Sequence, residues 1–83
     1  MSMGFPIFHK RRVFEIAFAD NLRVLRLEKG FTQAKLAEIV GLDQSTVSDY
    51  EAGRSEPIIS VAMKLAKMFN MTVEELYSGR AEE

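Results

Sequence analysis

The stretch Phe31-Thr32-Gln33-Ala34-Lys35-Leu36-Ala37-Glu38-Ile39-Val40-Gly41-Leu42-Asp43-Gln44-Ser45-Thr46-Val47-Ser48-Asp49-Tyr50-Glu51 decides the fold of this chain. Apolar residues mark two short helices in it, over 33–40 and 44–51, with only Gly41, Leu42 and Asp43 between them. Each start carries one local pattern: an apolar residue, a capping residue, and a second apolar residue four positions after the cap. In the first, the Thr32 hydroxyl is placed to accept from the free amides of the opening turn while Phe31 packs on Leu36. In the second, Asp43 is the cap and Leu42 and Val47 are the apolar pair. Gly41 is suited to the positive φ that ends a helix, and so short a connection forces a sharp turn that packs the two helices on each other. Ala37 is small where they would cross, and Val47 points back into the junction. The second helix keeps an outer face of Gln44, Ser45, Ser48 and Asp49, polar and short enough to approach the edges of nucleic-acid bases.

The same punctuation extends outward. Met71-Thr72-Val73-Glu74-Glu75-Leu76 repeats the start pattern and adds a full capping box, because Glu75 follows Thr72 by three residues. Gly30, Gly53 and Asn70 stand where left-handed backbone would end further helices. Helices are therefore expected near 18–29, 33–40, 44–51, 60–69 and 73–77. Their apolar residues recur at helical spacing: Phe18, Leu22 and Leu25; Leu36 and Val40; Ala62, Leu65, Ala66 and Phe69; Val73, Leu76 and Tyr77. The fold class is all-α, a five-helix domain over 17–77. Residues 1–16 read as an extension. Its β-branched and aromatic clusters, Phe5 to Phe8 and Arg12 to Ile16, point either to short strands turned at His9 to Arg11 or to helix 1 extended backwards to about Arg11. Residues 78–83 read as a polar tail.

Composition narrows the chemistry. Of 83 residues, 47% are apolar and 28% charged with only two prolines, which is the balance of a globular chain. There is no cysteine, so disulfides, thiolate catalysis and cysteine zinc sites are excluded, and His9 alone builds no metal site. With no glycine-rich phosphate motif either, neither an enzyme nor a bound cofactor is expected. The acidic pairs Glu74-Glu75 and Glu82-Glu83 have an ordinary explanation in a helix start and a solvated tail. No apolar run is long enough to span a membrane, and no signal-like stretch follows Lys10, Arg11 and Arg12, so a cytoplasmic location is expected. Net charge is −1, without the basic balance usual for nucleic-acid binding. Any such function must rest on where particular side chains sit.

Taken together, Phe31-Thr32-Gln33-Ala34-Lys35-Leu36-Ala37, Gly41 to Ser48, Tyr50-Glu51 and Gly53-Arg54, extended by Pro57 and Lys64-Leu65-Ala66-Lys67, resemble the lambda-repressor and Cro type (XRE-like) of helix-turn-helix transcriptional regulators. The likeness covers roughly 18–77. It implies a five-helix domain, usually a homodimer, that binds double-stranded operator DNA. Carried onto this sequence, it implies that Gln44 is the first base reader, its carboxamide matched to adenine N6 and N7. Ser45 and Ser48 would meet bases or phosphates. Gln33 would bond a phosphate at the start of helix 2, and Thr46 and Arg54 would meet phosphates too. Arg26 and Glu51 occupy positions that pair across helices 1 and 3, with DNA a further partner for Arg26.

The sequence departs from that pattern in three places. Asp49 stands where many relatives carry arginine, lysine or glutamine; it would either accept from a cytosine amine or point along the groove edge and weaken non-specific binding. Ile58 replaces the usual serine cap of helix 4, which is expected to start later with Ser60 as cap. The apolar Val24 and Leu27 lie on a side of helix 1 that need not face its own core, and with Ala17 and Asp20 they make a stripe at helical spacing. Val13, Phe14 and Ile16 are candidates to cover it, within one subunit or across a two-fold axis in a dimer. The competing functional reading is a protein-interaction module, such as the antitoxin of a toxin–antitoxin pair. The acidic balance and Asp49 fit it, and the joint presence of Gln33, Gln44, Thr46 and Arg54 opposes it.

Overall fold

The computed structural model describes residues 17–78, and these form five helices and no strand. The first, α1, is helical over 17–28. It is followed by α2 (Gln33–Val40), α3 (Gln44–Glu51), α4 (Ile59–Met68) and α5 (Val73–Ser78). The expected strand, or backward extension of helix 1, falls within 1–16 and so lies outside the described residues, as do Val13, Phe14 and Ile16. Of the tail expected over 78–83, Ser78 is helical and 79–83 lie outside the described residues.

Local chemistry sets the starts. Thr32 Oγ1 accepts from the Lys35 amide at 3.0 Å. At α5 the box closes in both directions, with the Glu75 amide donating to Thr72 Oγ1 at 3.0 Å and the Thr72 amide donating to Glu75 Oε1 at 2.9 Å. Two expected caps are corrected. The Asp43 side chain makes no capping bond, because the Thr46 amide it would accept from bonds the Asp43 backbone carbonyl at 3.0 Å. Ser60 does not cap α4 either. The helix begins one residue earlier, at Ile59 after an extended Ile58, and the Ala62 amide, which a Ser60 cap would have reached, is taken by the Ile58 carbonyl at 3.0 Å.

The ends of α1 to α4 share one geometry. A residue of positive φ follows each helix: Gly30, Gly41, Gly53 and Asn70. The amide one position later then reaches back five residues, from Phe31 to the Arg26 carbonyl (3.1 Å), Leu42 to Ala37 (2.8 Å), Arg54 to Asp49 (2.9 Å) and Met71 to Ala66 (2.9 Å). These are Schellman closures, which satisfy carbonyls the helix itself leaves free. In the usual form an apolar side chain after the left-handed residue folds onto the helix. Phe31, Leu42 and Met71 do so here and pack against the core, whereas the corresponding residue after α3 is Arg54.

All five helices contribute to one core, with Phe18, Leu22 and Leu25 from α1, Leu36, Ala37 and Val40 from α2, Val47 and Tyr50 from α3, Leu65 and Ala66 from α4, and Leu76 from α5. The Phe18 ring stacks on Tyr77 (centroids 4.8 Å apart) and meets Tyr50 edge-on (6.1 Å), joining both chain ends of the domain to α3. Asn21 Nδ2 adds a polar tie by donating to the Leu76 carbonyl at 2.8 Å. Burial pushes the phenols of Tyr50 and Tyr77 above their ordinary 10.0, the nearby Glu56 carboxylate adding to the effect at Tyr77, so both rings pack neutral at physiological pH.

The turn between α2 and α3 provides a stability test. Gly41 has φ 75°, and a Cβ placed there would meet no atom within 4 Å, so the cost of a side chain is backbone strain alone. Gly41→Ala should lower the unfolding free energy by about 1–2 kcal/mol. Gly41→Asn should cost less, because asparagine tolerates the left-handed region. Urea denaturation of the two variants checks the order.

Candidate nucleic-acid interface

Helix α3 is held from one side and open on the other. Val47 and Tyr50 fix it in the core, and Glu51, one residue on, holds it by charge. Arg26 Nε donates to Glu51 Oε2 at 2.6 Å and Arg26 Nη2 to Oε1 at 3.1 Å, a two-pronged arrangement that sets the roll of α3 against α1. Arg26 Nη1 donates to the Phe31 carbonyl at 2.7 Å, and Gln33 Nε2 donates to Glu51 Oε1 at 3.1 Å. The two charged side chains are only 11% and 5% exposed, and among the described residues no buried side-chain polar atom lacks a partner. Desolvating such a pair is costly, so the additional hydrogen bonds are what make it tolerable. Arg26, Phe31, Gln33 and Glu51 therefore form one cluster joining α1, the start of α2 and the end of α3.

With positions 47, 50 and 51 turned inward, α3 presents Gln44 and Ser45 exposed and Thr46, Ser48 and Asp49 half-buried. Gln44 and Ser48 lie one turn apart, as do Ser45 and Asp49, so the four side chains share a continuous polar surface. The amides of Gln44 and Ser45, in the opening turn of α3, have no acceptor among the described residues. The amides of Gln33 and Ala34 at the start of α2 are likewise free, since Thr32 takes only that of Lys35. Two helix starts thus offer unpaired N–H groups beside short polar side chains, an arrangement suited to anionic oxygens.

The remaining candidate residues fall in two places. Arg54, exposed after the Gly53 turn, donates from Nε to Asp49 Oδ1 at 3.0 Å. Val24 and Leu27 are 51% and 56% exposed on α1, an unusual position for two large apolar side chains. Two features were missed at the level of sequence. The Gln33–Glu51 bond links the residue expected at a phosphate to a structural pair and has no sequence signal of its own. A second exposed apolar set, Ile58, Ile59 and Met63, opens α4, and the four-residue spacing of Ile59 and Met63 was the available sign. Among the described residues no group of His, Asp and Glu converges on a metal-sized site, and no helix is long and apolar enough to cross a membrane.

Comparison with known proteins agrees with this geometry. The family described as Helix-turn-helix matches residues 22–76. An uncharacterized HTH-type transcriptional regulator of Archaeoglobus fulgidus is 36% identical over 62 residues, covering 75% of this chain and 89% of its own. The cryptic phage CTXphi transcriptional repressor RstR of Vibrio cholerae is 33% identical over 61 residues, which are 74% of this chain and 55% of the repressor. Among solved structures, the restriction-modification controller protein C.AhdI from Aeromonas hydrophila superposes with a TM-score of 0.69 at 35% identity, covering 76% of this chain and 96% of that one.

The ion pair gives the second prediction. Glu51→Ala strands a largely buried guanidinium and should destabilise the domain by about 3 kcal/mol. Arg26→Met with Glu51→Leu should cost clearly less than the sum of the two single changes. A double-mutant cycle in urea checks it.

Proposed function

The chain belongs to the XRE-type helix-turn-helix family of DNA-binding transcriptional regulators, and we propose that it is a cytoplasmic homodimeric repressor that lays α3 in the major groove of a roughly palindromic operator. The observation that carries this reading is the division of α3 into an inner side locked by Val47, Tyr50 and Glu51 and an outer side of polar groups, Gln44 and Ser45 exposed and Ser48 and Asp49 half-buried. A helix held so firmly can offer its side chains to base edges without first losing much conformational freedom. Gln44 reads adenine, and Ser45 and Ser48 bond neighbouring bases or phosphates. Gln33, whose carboxamide nitrogen is engaged by Glu51, meets a phosphate through its backbone amide together with that of Ala34. Thr46 and Arg54 contact phosphates on the flanking strands. Occupancy of a promoter-overlapping site by such a domain blocks polymerase with no contact beyond DNA, in keeping with the similarity to the transcriptional repressor RstR. The chain acts by binding and not by catalysis.

Dimerisation is assigned to the exposed α1 stripe of Val24 and Leu27, covered by Val13, Phe14 and Ile16 of a second copy. Two copies related by a two-fold axis place their α3 helices about 34 Å apart, one turn of DNA. Val24→Glu with Leu27→Glu should convert the dimer to monomer in sedimentation equilibrium while leaving the helical spectrum intact. A dimer that persists would move the interface elsewhere.

The decisive experiment is selection of duplexes from a random pool followed by affinity measurement across salt. With roughly five phosphates neutralised per dimer, log affinity should fall against log salt with a slope of about −4 to −5. Gln44→Ala should reduce discrimination at one adenine by about 1–3 kcal/mol and leave the slope unchanged. Absence of duplex binding at low salt would favour the other reading, a helix-turn-helix module whose partner is a protein, as in an antitoxin.

A further inference from the structure

At three of the four Schellman closures among the described residues, the residue after the left-handed turn is apolar and folds onto the core; at the fourth it is Arg54. The backbone bond is the same, the Arg54 amide reaching the Asp49 carbonyl at 2.9 Å. The side-chain contact that normally accompanies it is replaced by charge, because Arg54 Nε donates to Asp49 Oδ1 at 3.0 Å. Asp49 is the residue whose carbonyl receives the closure, so Arg54 is tethered to it twice, once through backbone and once through side chain. Only Nε is engaged: Nη1 and Nη2 of Arg54 have no acceptor among the described residues. The pair is open to solvent, with Arg54 64% and Asp49 45% exposed.

We infer that Asp49 is a positioning residue: its carboxylate holds Arg54 by the Nε edge at the end of the α3 polar surface and leaves both Nη groups directed to a DNA phosphate. The inference rests on the DNA-binding reading and deepens it, because it gives the carboxylate on the α3 outer face a task other than reading a base. It also accounts for an acidic residue beside a polyanion. A guanidinium on a long flexible stem loses rotamer freedom when it binds a phosphate, and a partner that has already fixed its direction removes part of that loss. The carboxylate repels the phosphate at longer range. Its placement behind the guanidinium leaves the attraction at contact dominant, as Coulomb energy falls with distance.

A double-mutant cycle tests this, with a short mixed-sequence DNA duplex as probe, since a phosphate contact is independent of sequence. Arg54→Ala should weaken binding by about tenfold and make the salt slope shallower by about one unit per subunit. In an Asp49→Ala background the same substitution should cost about threefold or less, with a smaller change of slope, and Asp49→Glu should restore part of the coupling. Asp49→Asn, which keeps the shape and removes the charge, serves as a second background, and thermal melts of all variants report folding. Equal costs of Arg54→Ala in every background would overturn the inference and leave Asp49 a plain repulsive charge. A change of preference at one base pair on Asp49→Ala, seen in selected duplexes with Arg54 already removed, would overturn it in favour of base reading. Failure of the unaltered chain to bind any duplex at low salt would instead overturn the DNA reading itself, before any substitution is made.

Discussion

The pairing of Arg26 with Glu51 is the constraint on which the rest of the domain depends. A hydrophobic core holds helices together but lets them roll, because apolar contacts are non-directional. The two-pronged guanidinium–carboxylate contact has one geometry, and it reaches from α1 to the last residue of α3. Two further bonds, to the Phe31 carbonyl and from Gln33, tie the start of α2 into the same cluster. The orientation of α3 is thus fixed at two points, by Val47 packed in the core and by charge at Glu51. Everything assigned to the outer surface follows from that orientation.

Electrostatic economy follows from the same cluster. The chain has 11 lysines and arginines against 12 acidic residues. Arg26 is sequestered, and Arg54 shares its charge with Asp49. Long-range attraction to a polyanion is correspondingly weak, so the proposed reading rests on a few groups placed at contact distance: helix-start amides, a carboxamide and short hydroxyls. Such a surface favours a matched groove over arbitrary DNA, and it makes a second subunit valuable, since two weak engagements on one duplex multiply.

Much of this was legible in the sequence because it is local. Thr32, Thr72 with Glu75, and the left-handed Gly30, Gly41, Gly53 and Asn70 act within a few residues, and the helix limits they imply differ from the observed ones by no more than a residue or two. Where local logic failed, the competing interaction was also local but invisible in residue type. Asp43 and Ser60 have side chains fit for capping, yet backbone carbonyls at 43 and 58 had already taken the amides. Three-dimensional coincidences were harder to see. The bond of Gln33 to Glu51 and that of Asn21 to the Leu76 carbonyl join residues far apart in the chain, and neither residue type demands such a partner. The Asp49–Arg54 pair lay between these cases: the five-residue spacing across a glycine stop is a pattern, but its meaning appears only beside the other three stops.

Those repeated stops have a bearing on how the domain tolerates change. Phe31, Leu42 and Met71 are each committed to the interior, so altering any of them disturbs packing as well as the turn. Arg54 occupies the same slot in the same backbone geometry with its side chain in solvent. Among the ends of α1 to α4 there is therefore one position where the closing turn of a helix is decoupled from the core, and it lies at the edge of the surface assigned to DNA. Substitution there, together with Asp49, is free to retune recognition while the scaffold is left intact, which makes this end of α3 the natural place for relatives of the same fold to diverge in what they bind.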